Sequence, residues 1–149
     1  MSEHAQLIQS AFVSYLSTIT PSPWAEDLTG DSGLRIFAGE DGGTKDGTRI
    51  VCAVTGDLTE DPQFSGNRWS DVDISLKTPV VDDGGASLTF HRANALALQS
   101  ALMDTGLVAG LQSSALYVYQ VLDRNPYQNE DADFFESGMK LRIYSLQTA

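Results

Sequence analysis

Residues 65–77, SGNRWSDVDISLK, carry the alternation that decides the fold. The even positions run Arg68, Ser70, Val72, Ile74, Leu76 and the odd ones Asn67, Trp69, Asp71, Asp73, Ser75, Lys77. In an extended chain successive side chains point to opposite faces, so Val72, Ile74 and Leu76 form an apolar face. The other face sets a tryptophan beside two aspartates. The segment reads as a strand that ends by Pro79, because proline cannot donate to a ladder.

Working towards the N-terminus, TRIVCAVTGDL (48–58) reads as a strand before it, and LRIFAG (34–39) as a shorter one. The Gly- and Asp-rich GEDGGTKDG between those two suggests a hairpin with a long loop. From Glu3 to Ile19, Leu7, Ile8, Ala11, Phe12, Tyr15, Leu16 and Ile19 recur at three- and four-residue spacing, one apolar stripe on a helix that Pro21 and Pro23 end. Trp24, in the irregular connection that follows, reads as packing on that helix.

Towards the C-terminus, VVDDGGAS is turn-like, and Ser87 or Thr89 stands where a cap belongs for a helix from Phe90 to about Thr105. Phe90, Ala93, Asn94, Ala97 and Ala101 share one side of it, with Leu98, Leu102 and Met103 adjacent, and Gly106 supplies the stop. LYVYQVLD (116–123) is a strand, RNPYQNEDAD an acidic loop, and FFESGMKLRIYSL the last strand. There Phe135, Met139, Leu141 and Ile143 share one face, and Lys140, Arg142 and Tyr144 the other. The fold class is α+β: one twisted, mainly antiparallel sheet with two principal helices on one face, in the order α-β-β-β-α-β-β. At 149 residues the chain is expected to be one domain over 1–149, long enough to bury roughly 68 to 70 % of its unfolded surface.

Charge narrows the function classes. Lys plus Arg number 9 against 20 Asp plus Glu, a formal net charge of -11, with no basic run. A phosphate-binding groove needs clustered cations that displace counterions, so nucleic-acid binding is disfavoured. An acidic surface suits solubility, or a wall that DNA passes without sticking. The single cysteine, Cys52, cannot form an internal disulfide and sits in the apolar run RIVCAV as a small core residue. MSEHAQLIQS lacks the basic start of a signal peptide, and no apolar run approaches membrane-spanning length. The expected compartment of folding is a cytoplasm.

Catalytic motifs fail on inspection. GDSG (30–33) matches the tetrapeptide around a trypsin-like nucleophile, but only His4 precedes Ser32, so it reads as a turn. His91, in the first turn of the second helix, reads as a structural or interface residue. GEDGGTK lacks the spacing of a phosphate loop. DRNPYQNEDAD opens like a calcium loop at Asp123 and Asn125, yet Gln128 stands where the sharp turn needs glycine. Asp57, Glu60 and Asp61 have neither a histidine nor ligand spacing to hold a metal. No catalytic, cofactor-binding or metal-binding residue is assigned, and no cofactor is expected. A small metal-dependent enzyme centred on those three carboxylates is the alternative of another class; a monomeric binding module is a further one.

The element order resembles that of the tail terminator proteins of long-tailed bacteriophages, the tail-completion proteins of the lambda minor tail protein U type. The likeness runs over roughly residues 5 to 147. It rests on the opening helix, RIVCAVTGDL, SGN leading into RWSDVDISLKT, and TFHRANALALQSALMDTGLVAGL as the second helix. LYVYQVLDRNPYQNEDADFFESGMKLRIYSL then resembles the closing strand pair. The loops 39–47 and 79–88 carry nothing that matches.

The resemblance implies a non-enzymatic structural protein of the virion, at the tail-neck junction and assembled in the host cytoplasm. It would form a ring, usually of six copies, that caps the head-proximal end of the tail tube, stops its polymerisation and offers a surface to the neck. A head-closure or connector ring is the alternative within the class. The partners implied are further copies of the chain, the tail tube protein and a neck or head-completion protein, with no membrane; genomic DNA passes through the lumen unbound. A ring needs two different patches on each subunit. Trp69, Asp71 and Asp73 are candidates for one, with Lys140 and Arg142 as complementary charges, since Trp and Arg are enriched at interface centres. The competing place for Trp69 is under the first helix or a loop of its own chain. Lumen-facing candidates are Asp41, Asp46, Asp82, Asp83, Glu130, Asp131 and Asp133.

Overall fold

A computed structural model describes residues 3–19, 23–25, 35–39, 48–59, 67–80, 84–130 and 133–147. Helix α1 (Glu3–Ser17) leads to β1 (Arg35–Ala38), β2 (Arg49–Thr59) and β3 (Asn67–Pro79). Helix α2 (Ala86–Met103), the one-turn α3 (Leu107–Gly110), β4 (Leu116–Glu130) and β5 (Phe134–Gln147) complete it. The strands form one sheet in the order β1-β2-β3-β5-β4. Three of its four pairings are antiparallel. This is the expected α+β class with both principal helices on one face; α3 is an addition.

The alternation read from residues 65–77 holds through the centre of the sheet. Val72, Ile74 and Leu76 on β3 lie beside Met139, Leu141 and Ile143 on β5, and all six are at most 2 % exposed. Ile8, Phe12 and Leu16 of α1 and Leu98 and Leu102 of α2 join them in one core. Each such side chain contributes roughly 1.5–3 kcal/mol by leaving water. Cys52 is fully buried there, and burial pushes its thiol up to about 12, which makes it an inert core residue. Trp24 packs against the same core and donates from Nε1 to the carbonyl of Leu16.

Four expectations need correction. β1 and β2 are parallel, with Arg35 opposite Arg49, and do not form a hairpin. The ten residues 39–48 span up to roughly 33 Å when extended, ample for the return of about 13 Å that a parallel neighbour of a four-residue strand requires. Second, RNPYQNE is not loop: β4 continues through it to Glu130, interrupted by irregularities at Val118/Gln120 and Leu122/Asn125. Asp123 takes a left-handed φ of 55° at the second one. Such bulges, and Pro126, blunt an edge strand against stray pairing.

Third, α2 begins at Ala86, and its N-cap is Gly85 at φ 91° with no side-chain cap. Thr89 instead donates from Oγ1 back to the Gly85 carbonyl at 3.1 Å. Fourth, of the α2 side read as Phe90, Ala93, Asn94, Ala97 and Ala101, Phe90 and Asn94 are buried but Ala93 is exposed, and the buried row continues through His91 and the adjacent Leu98 and Leu102. The larger apolar chains remove more surface from water, so they turn the helix.

Two polar groups bind α1 and α2 to neighbouring backbone inside this core. Gln9 of α1 accepts at Oε1 from the N–H of Val54, beside the register shift between Val54 and Gly56. Asn94 of α2 accepts from the N–H of Ala25 and so ties the Trp24 segment down. Backbone donors that sheet and helix ladders leave over must be met in this way when buried.

Candidate assembly interface

The outer face of the sheet, away from the helices, is where the odd positions of β3 emerge. Across β3 and β5 the register sets Trp69 opposite Tyr144, Asp71 opposite Arg142 and Asp73 opposite Lys140. All five sequence-derived interface candidates therefore share one face of one chain. Arg142 donates from Nε to Asp71 Oδ1 at 2.9 Å and from Nη2 to Oδ2 at 3.3 Å, a bidentate fork. Its guanidinium carbon lies 4.0 Å from the centre of the Trp69 ring. The Asp71 hydrogen bonds raise the Arg142 pKa further, so the cation is permanent. Both partners of the ion pair are partly exposed, so water screens it and it adds little to stability. Its consequence is geometric: the fork fixes a guanidinium plane over an indole.

This pairing changes the role of the charges. Arg142 answers Asp71 within its own chain. Tyr127 on β4 donates from its hydroxyl to Asp73 Oδ1 at 2.6 Å, and Lys140 Nζ stands 5.7 Å from the centre of that tyrosine ring. Tyr127 crosses above Gly138, the residue opposite it on β5, where a side chain would collide with its ring. Burial and then the Asp73 hydrogen bond raise the pKa of Tyr127, which therefore remains a donor. With its charges matched in place, this face offers aromatic surface more than ions.

That surface is larger than the sequence suggested. Tyr119 stacks on Tyr117 with ring centres 6.4 Å apart and meets Tyr144 at 6.2 Å. Tyr117, Tyr119 and Leu122 are among the exposed large hydrophobic residues. All three stand on β4 in a run without charges from Thr105 to Leu122, a sequence signal that the apolar-face reading overlooked. Farther along the same face Arg49, Val51 and Ser75 are buried, and Arg49 and Lys77 both lie over the Phe134 ring. Trp69 is half-buried on the outer face and does not lie under α1.

Of the lumen candidates, Asp41, Asp46, Asp82, Asp83 and Asp131 lie outside the described residues, as does the side chain of Glu130; Asp133 is exposed immediately before β5. Of the rival metal site, Glu60, Asp61 and the Asp57 side chain lie outside them too. Among the described residues no group of three His, Cys, Asp or Glu is placed to hold a metal ion. GDSG (30–33) is likewise outside, and Asp123 and Asn125 lie at a strand irregularity.

On the helix side, a groove of about 810 Å³ runs between α2 and the strand pair β4 and β5. Leu88, Arg92, Leu96 and Gln99 line it from α2, and Gln128 and Phe135 from the strands. His91, also in its lining, is held by two hydroxyls: Nδ1 to Thr78 Oγ1 at 2.8 Å and Nε2 to Ser137 Oγ at 2.9 Å. The chain has the outline of a nucleophile, base and orienting group. Burial, however, holds the imidazole down at about 4, and the third member is an uncharged hydroxyl. A base that weak gains little from Ser137, whereas the same bonds bind α2 to β3 and β5. His4 does the equivalent for α1, with Nε2 2.9 Å from Ser145 Oγ. No protein-family model matches the chain, and no curated protein matches it.

Proposed function

We propose that the protein is a self-assembling structural subunit, a tail terminator that forms a ring, of six copies by the resemblance, on the head-proximal end of a phage tail tube. The observation that carries self-assembly is the outer sheet face, where Trp69, Tyr144, Tyr119 and Tyr117 form a continuous aromatic surface around a pre-set Arg142. Rigid aromatic chains beside arginine are what interface centres are made of. The phage role rests on the resemblance over residues 5 to 147. A net charge of -11 suits a lumen wall that repels passing DNA. No helix among the described residues is long and apolar enough to cross a membrane.

The test is native mass with negative-stain imaging over a concentration series, followed by addition to growing tail tubes. Closed rings with a central hole that arrest tube growth are the expected result. Binding to a portal or adaptor ring, with no effect on tubes, reassigns the subunit to head closure. A persistent monomer that also leaves tube growth unaltered overturns the reading.

A further inference from the structure

The twenty acidic residues are unevenly spread: between Gly84 and Leu122 the only one is Asp104. That interval contains all of α2, whose residues include Arg92 and no acid. It also contains two of the outer-face tyrosines. On α2, Leu96 is 67 % exposed and Met103, seven residues on and so on the same helical side, is 49 % exposed. Leu96 and Arg92 line the groove beside β4 and β5. The large exposed apolar residues thus gather mainly in two patches on opposite layers: Tyr117, Tyr119 and Leu122 on the sheet, Leu96 and Met103 on the helix.

We infer that the acid-free outer side of α2, with its groove, is the second half of a head-to-tail contact, receiving the aromatic sheet face of another copy of this chain. Two copies that each carry a net charge of -11 repel except where their surfaces lack carboxylates or neutralise them. On the sheet face Asp71 is forked by Arg142 and Asp73 accepts from the Tyr127 hydroxyl, while α2 carries Arg92 and no acid, and Glu136, which the strands bring to the groove, accepts from Asn129 Nδ2. Patch against patch would bury the tyrosines and leave Leu96 and Met103 in water; helix against helix would do the reverse. Sheet patch on helix groove leaves a pair with one free half of each kind, one on each copy, so the contact propagates around a ring until both patches are buried in every subunit. The inference depends on the self-assembly proposed above and not on the phage role.

The experiment uses the full chain and two surface variants, Tyr119→Asp and Leu96→Asp, with circular dichroism to establish that each is folded. Native mass is followed over a concentration series. Each variant alone is expected to be monomeric to concentrations about 30-fold above those at which the wild type assembles. Mixed in equal amounts, they are expected to form a one-to-one pair that does not grow, because each supplies the half the other lacks. Should Leu96→Asp assemble like the wild type while Tyr119→Asp does not, the sheet patch pairs with itself and the inference fails, with self-assembly intact. Wild-type behaviour of both variants removes both patches from the contact. A wild type that is monomeric throughout overturns self-assembly as well, and leaves the aromatic face to a different protein.

Discussion

The guanidinium of Arg142 stands 4.0 Å from the centre of the Trp69 ring and is held there by a fork onto Asp71 of the same chain. A contact built on Trp69 therefore has its anchor fixed before any partner arrives, which lowers the ordering cost of association. Trp69→Ala is expected to weaken assembly by about 2 kcal/mol or more, as an interface hot spot does. The stability of the monomer should change by under about 1 kcal/mol, because the ring lies half-buried on the sheet's outer face. The two effects separate in a comparison of the assembly midpoint with the urea midpoint at low concentration. Unfolding of the variant monomer would show that the ring is core.

Arg142→Lys tests the fork itself. A lysine retains the charge but has neither two parallel donors nor a plane to lay on the indole. Its expected effect is a several-fold loss in assembly with the urea midpoint nearly unchanged, since the ion pair it replaces is screened. An assembly midpoint equal to the wild type's would mean that only the charge matters there.

Gly138 and Gly110 are both crowded by a tyrosine, and the two should respond differently to the same pair of changes. At Gly138 an added Cβ would stand 2.5 Å from the Ile74 carbonyl oxygen as well as 2.6 Å from the Tyr127 hydroxyl. The carbonyl belongs to the β3 backbone and cannot swing aside. At Gly110 the nearest atoms all belong to the Tyr15 ring, whose hydroxyl donates to the Ala101 carbonyl at 2.9 Å. Either glycine changed to alanine is expected to cost about 1–3 kcal/mol, the range for overpacking. Tyr15→Ala should relieve most of the Gly110→Ala penalty, whereas Tyr127→Ala should leave most of the Gly138→Ala penalty in place. Double-mutant cycles by urea denaturation measure both couplings.

The same distinction between local pattern and cross-strand contact explains what could be read from the sequence. The period of two at 69–77 sorted the helix-covered face from the outer face correctly because strand geometry alone decides it. Lys140, Arg142 and Tyr144 came out on the proper face for that reason. The continuation of β4 through RNPYQNE was missed because those residues are poor strand formers, and the pairing with β5 overrides their preference. Tyr127 could not be placed for a related reason: its position over Gly138 is a cross-strand fact with no trace in its own neighbourhood. The direction of β1 was misread because a Gly-rich connection of that length permits either orientation. On α2, Phe90 and Asn94 came out on the buried side, but Ala93 did not, because alanine suits either face of a helix.

His91 makes stability depend on pH in a direction that its surroundings fix. It is 4 % exposed, bonded to Thr78 and Ser137, and 5.7 Å from the Phe135 ring centre, and its burial holds the imidazole at about 4. In the unfolded chain the ordinary value is roughly 6.5. Between those two values the unfolded chain binds a proton that the folded one refuses, so stability rises with pH across the window. The contribution is complete above about pH 6.5 and is lost as the pH falls towards 4. From pH 7 to pH 5 this amounts to about 1–2 kcal/mol. Carboxylates add their own acid sensitivity, but they titrate alike in wild type and His91→Gln. Urea midpoints at the two pH values should therefore fall further in the wild type than in His91→Gln, even though the variant starts lower at pH 7 for want of one hydroxyl bond. Equal falls would mean that the imidazole is already charged in the folded protein, and that Thr78 and Ser137 both accept hydrogen bonds from it.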